Sequence, residues 1–135
     1  MNAYFVLAAL IAFILGIVHS YLGEKYLIGP ILRSEHLVSA LSGSVSLKKV
    51  ALRVCWHFAT IAMWGTAFTL VFLSALPSSH ISLVVARIVS LTFAAYTILV
   101  FLTPGLRLIH LRRHLAWAAF LAIAVLSWLG TLRQR

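Results

Sequence analysis

Four uninterrupted apolar runs, residues 3–22, 50–76, 80–102 and 115–132, constrain this chain more than anything else in it. Each is long enough to cross a hydrocarbon core of about 30 Å at 1.5 Å rise per residue. Lipid offers backbone groups no hydrogen-bond partner, so each crossing is expected to be helical. The strand-like alternation of a membrane barrel would break such runs. Composition points the same way: 63% of the residues are hydrophobic and 10% charged, against about 45–50% and about 25% in soluble domains. The expected fold class is all-α, an integral membrane up-down four-helix bundle with residues 1–135 forming a single transmembrane domain. Short connections make sequential helices antiparallel neighbours and bring the first and fourth together.

The first run resembles a signal peptide only superficially. It has the length of a full span, lacks a basic residue before it and has no small-x-small cleavage site ahead of Glu24, so it is expected to be retained. The connection after it contains Gly29-Pro30 and Ser42-Gly43-Ser44, both read as turns or linkers, with a short interfacial helix over 34–41 between them. Pro77-Ser78-Ser79 reads as a tight hairpin, and Thr103-Pro104-Gly105 ends the third span.

Basic residues set the expected orientation. Lys25, Arg33, Lys48, Lys49, Arg53, Arg107, Arg112 and Arg113 flank the two long connections, whereas Arg133 and Arg135 stand at the opposite side. By the positive-inside rule both long connections are cytoplasmic and both termini outside, in a bacterial inner membrane. The net charge of +9 invites a nucleic-acid reading. Cations that flank apolar runs instead match anionic lipid headgroups, with Arg112 and Arg113 as lipid or partner contacts and no nucleic acid expected.

Each span has a face of its own. On the first, Ala12, Gly16, His19 or Ser20, and Gly23 form a small-residue stripe suited to close helix packing. On the second, Arg53, His57, Thr60 and Trp64 share a polar face, separate from Cys55, Ala59, Ala62 and Thr66; on the third, Arg87, Ser90, Ala94 and Thr97 align. On the fourth, His110 and His114 sit at i and i+4 with Trp117 and Leu121.

Depth turns these faces into a candidate site. His19, His57 and His114, with Glu24 beside them, fall in one layer of about 8 Å at the cytoplasmic end. Ionisable groups in a membrane are costly to bury and are therefore candidates for function. One reading is cofactor binding, with His19 and His57 as axial haem ligands or His19, Glu24, His57 and His114 holding a transition metal. Leu111-Arg112-Arg113 between the two histidines of the fourth span counts against a metal pair, since it lacks a glutamate and adds two cations. The preferred reading makes His19 and His57 hydrogen-bonded packing residues and Glu24 an ion-pair partner of Lys25 or Arg53. Trp56, Trp117, Trp128, Tyr4, Tyr21 and Tyr26 are read as an interfacial aromatic belt.

Arg87 lies about 10 Å inside its span, and the chain's two acids, Glu24 and Glu35, stand on the other side. It is expected to snorkel to lipid phosphates or to meet an acid on a partner chain. No nucleotide-binding loop, nucleophile elbow or Cys-x-x-Cys occurs, and the one cysteine cannot close an internal disulfide. The functional expectation is therefore a non-enzymatic membrane subunit or assembly factor, with an acidic membrane partner or a second copy of itself. The alternatives are a haem- or metal-binding redox or transport protein and a proton-coupled carrier or channel component.

Overall fold

The computed structural model describes residues 1–34, 44–102 and 115–134. It is all-helical: α1 (Ala3–Gly23), a π-helical turn (Glu24–Ile28), α2 (Gly29–Arg33), α3 (Val45–Ala75), α4 (His80–Leu102) and α5 (Ala116–Arg133). Four helical stretches are long and apolar enough to cross a membrane, and the protein is a small multi-pass membrane protein with a four-helix bundle. The expected interfacial helix over 34–41 lies outside the described residues apart from Ser34, which closes α2 in extended conformation. Arg107, His110, Arg112, Arg113, His114 and Glu35 are also outside them.

One boundary differs from expectation. Gly29-Pro30 is not a turn, because helix runs continuously from Ala3 to Arg33. A proline in a regular helix loses a hydrogen bond and collides with the carbonyl four residues back. Here the π turn ends just before it, with the Gly29 N–H bonded five residues back to the Glu24 carbonyl, and Pro30 takes the first turn of α2. Gly29 suits that wide turn, since a Cβ there would lie 2.7 Å from the Glu24 oxygen. Glu24 therefore sits within a continuous helix and not beyond its end.

The helices form three extensive seams: α1 with α3, α1 with α5, and α4 with α5. The second and third spans, α3 and α4, have little mutual packing despite their short connection. Sequential order alone predicts that seam, but lipid supplies no hydrophobic drive to close it. Bulky side chains on both helices, Phe68 and Phe72 on α3 and Ile81 and Leu91 on α4, stay exposed. Close seams form instead where one helix offers small residues, as α1 does with Ala8, Ala9, Ala12, Gly16 and Gly23, all buried.

The core is concentrated in the half of the bundle that holds both chain termini. Phe5, Ala8, Ala9 and Ala12 of α1 meet Ala67, Leu70 and Leu73 of α3, Ala86 and Phe93 of α4, and Ile123 and Ala124 of α5. Phe5 is fully buried against Gly130, where a Cβ would overlap its ring. Asn2 ties three helices at this end: its backbone N–H donates to Ser74 O at 2.9 Å and its side-chain Nδ2 to Gly130 O at 2.8 Å. Its Oδ1 accepts from the Tyr4 N–H and so caps α1. Toward the other end α1 and α5 part around an apolar groove of about 430 Å³, lined by Ile11, Leu15 and Val18 on one side and Leu115, Ala116 and Ala119 on the other.

Candidate functional site

Antiparallel pairing of α1 with α3 assembles the polar end. Ser20 of α1 and Glu24 of the π turn stand one turn apart, and Arg53, His57, Thr60 and Trp64 follow one stripe of α3. Ser20 Oγ lies 3.1 Å from His57 Nδ1. Arg53 donates to Glu24 Oε1 at 2.6 Å, and His57 Nε2 stands 3.7 Å from Glu24 Oε2. That second carboxylate oxygen is buried and has no hydrogen-bond partner. A chain of four polar side chains thus runs from Ser20 through His57 and Glu24 to Arg53.

The chain's chemistry follows from its order. With Ser20 donating to Nδ1, the remaining ring proton of His57 points at Glu24; with His57 doubly protonated, both ring nitrogens donate. His57 Nε2 therefore faces the one oxygen of the Glu24 carboxylate, Oε2, that lacks a donor. Ser20, histidine and glutamate also occur in the order of an acyl-transfer triad, yet Ser20 is inside α1, where the neighbouring N–H groups are committed to the helix and none is free as an oxyanion donor. The Arg53 and Glu24 side chains are 52% and 38% exposed, which limits their ion pair to about 0.2–1 kcal/mol where water reaches it.

His19 belongs to a different arrangement. Its ring stacks on Trp56 with centroids 4.3 Å apart and planes at 7°, while Trp56 Nε1 donates to the His19 carbonyl at 3.3 Å. The Trp56 indole occupies the space over Gly23, where a Cβ would overlap it. One turn pair deeper, Trp64 repeats the device: its Nε1 donates to Phe13 O at 3.3 Å, and a Cβ on Gly16 would come within 2.6 Å of that nitrogen. Trp56 thus packs between α1 and α3. Trp128 of α5 receives the Arg87 guanidinium, 5.9 Å from its ring centroid.

Of the residues singled out from sequence, the structure joins Glu24 with His57 and with Arg53, one of its two expected ion-pair partners, sets Ser20 beside His57, and pairs His19 with Trp56. Among the described residues no three His, Cys, Asp or Glu side chains are grouped so as to hold a metal ion; His114 lies outside them. Cys55 is exposed and free. A cleft of about 520 Å³ opens beside the site, lined by Ile17, Ser20, Tyr21, Glu24, Lys25, His57 and Trp64. Sequence reasoning gave Ser20 and Arg53 minor parts. The signal available was Gly16 and Gly23, two turns apart, facing tryptophans eight residues apart on the next span.

Arg87 is half-buried within α4. Its Nε is buried without a hydrogen bond, and among the described residues it makes no ion pair. Glu24, the one acid among the described residues, is at the opposite end of the bundle. No family model, curated protein or solved structure matches this chain.

Proposed function

We propose that this protein is a non-enzymatic subunit or accessory factor of a membrane assembly, and that Arg87 is where it meets an acidic group of its partner. The observation that carries this reading is the Arg87 guanidinium, which within its span meets the Trp128 indole face, has no ion pair among the described residues and keeps a buried Nε that lacks an acceptor. A cation in that position costs several kcal/mol unless an anion or water reaches it. The cation–π contact returns only about 0.5–2 kcal/mol. A carboxylate on a neighbouring transmembrane helix supplies both the missing charge and the missing acceptor.

Isolation from native membranes in mild detergent tests the proposal. Wild-type protein should co-purify with a stoichiometric membrane partner. Arg87→Gln should lose that partner while remaining helical and monodisperse, and Arg87→Lys should keep part of it. A monodisperse wild-type monomer without a stoichiometric partner overturns the reading. The cations Lys25, Arg33, Lys48, Lys49 and Arg53 at the histidine end, against Arg133 at the terminal end, support a cytoplasmic-membrane orientation with the histidine end inside.

A second reading is proton handling at Ser20, His57 and Glu24, favoured by the 3.7 Å approach of His57 Nε2 to a carboxylate oxygen without a donor. Proton flux into proteoliposomes should then fall several-fold in Glu24→Gln. Flux unchanged by that substitution removes the reading.

A further inference from the structure

The seam between α1–α2 and α3 contains two concavities that meet at the Glu24–Arg53 pair. The deeper is the cleft of about 520 Å³ already described, whose inner part is formed by Ile17 and Trp64. The outer, of about 320 Å³, is lined by Leu32, Lys49, Val50, Arg53 and Val54. Arg53 borders the outer cavity and reaches Glu24, which borders the inner one. The ion pair bridges the two, and the two concavities with this bridge between them make up a trough along the seam.

The trough is apolar along its length and cationic at its mouth. Lys25 holds its ammonium over the Tyr21 and Tyr26 rings, 5.7 and 5.1 Å from their centroids, and so stands on the rim. Lys49 and Arg53 contribute two more cations from successive turns of α3. Among the described residues Glu24 is the one acid facing these three, with one oxygen already bound by Arg53. From Arg53 to Trp64 the trough runs about 16 Å along the helix, roughly half of a hydrocarbon core of about 30 Å. An occupant of that length stays within a single leaflet.

We infer that this trough binds one anionic phospholipid, with its phosphate among Lys25, Lys49 and Arg53 and one acyl chain along Ile17 and Trp64. The inference is independent of the partner reading at Arg87, which concerns α4 and α5 at the other end. Charge selects the headgroup: a zwitterionic lipid brings its own cation into a mouth that already has an excess of them, whereas an anionic lipid does not. Ile17, exposed on α1, supplies the chain contact without taking part in the helix packing. Lipid in this position would also cover the apolar seam beside the Ser20–His57–Glu24 chain and limit water access to it.

Native mass spectrometry of the full chain in detergent measures the site directly, with phosphatidylglycerol and phosphatidylcholine of identical acyl chains as competing probes. One phosphatidylglycerol per chain should be retained, with a preference over phosphatidylcholine of about tenfold. The double substitution Lys25→Gln, Lys49→Gln should bring the ratio near one. Ile17→Trp should fill the trough and reduce retention of both lipids, whereas Ile81→Trp, on an exposed position of α4, should change neither. Equal retention of the two lipids by wild-type protein overturns the inference. So does a preference that survives the lysine substitutions, or an Ile17→Trp variant that behaves as Ile81→Trp does.

Discussion

The two ends of this bundle hold helices together by opposite means. At the terminal end, neutral groups tie α1, α3 and α5: Asn2 bonds to Ser74 and Gly130, Ser78 bonds to Gln134 O at 2.7 Å, and Phe5 fills the space over Gly130. At the histidine end, among the described residues, Ser20, Glu24, Arg53 and His57 join the first helical stretch to α3 beside the Trp56 bond to the His19 carbonyl, while Glu24 Oε2, His19 Nε2 and Thr60 Oγ1 lack hydrogen bonds. Ser127 Oγ, Gln134 Oε1 and the Arg87 Nε lack partners toward the terminal end. Among the described residues the dense core therefore lies toward the terminal end, and the Ser20–His57–Glu24–Arg53 chain lies where α1 and α5 part.

The largest expected effect tests where the stability lies. Gly130→Ala pushes a Cβ into a fully buried Phe5 ring and should cost about 1–3 kcal/mol, read as a lower unfolding midpoint in a mixed-micelle denaturant titration. Gly23→Ala should cost less, because the half-buried Trp56 indole can swing away from α1. Equal losses would erase the distinction between a closed end and an open one. Asn2→Ala comes next: it removes the Nδ2 bond to Gly130 and the α1 cap, for about 1–2 kcal/mol in the same titration. Smallest should be Glu24→Gln, at no more than about 1 kcal/mol because the pair with Arg53 is exposed. A large destabilisation by Glu24→Gln would make the histidine end structural after all.

Hydropathy made the spans legible, since in lipid an apolar run of sufficient length has no structural option but a helix. The polar stripe of α3 was legible for a similar reason: Arg53, His57, Thr60 and Trp64 obey helical periodicity whatever surrounds them. What a stripe meets is a tertiary fact. His19 and His57 stand at matching depth, yet one ring turns to Trp56 and the other to Ser20 and Glu24. Trp56 carried the same signal as an interfacial tryptophan, because both stand near the end of a span. Its packing role emerges only with Gly23 opposite. Gly29-Pro30 misled for a local reason, since the dipeptide disfavours regular helix and only a π turn ahead of it relieves the conflict.

That π turn has a consequence for insertions and deletions. A π turn accommodates one residue more than the α-helix it interrupts. Removing a single residue between Gly23 and Gly29 would restore regular winding without shortening the span appreciably and without turning the helix beyond it, because the wide turn absorbs the extra residue. Leu32 would then stay on the Val50 and Val54 side of α3, whereas winding the same residues as regular α-helix, with none removed, would turn it away by about 100°. In this stretch winding encodes direction: the width of one turn decides which neighbour α2 addresses.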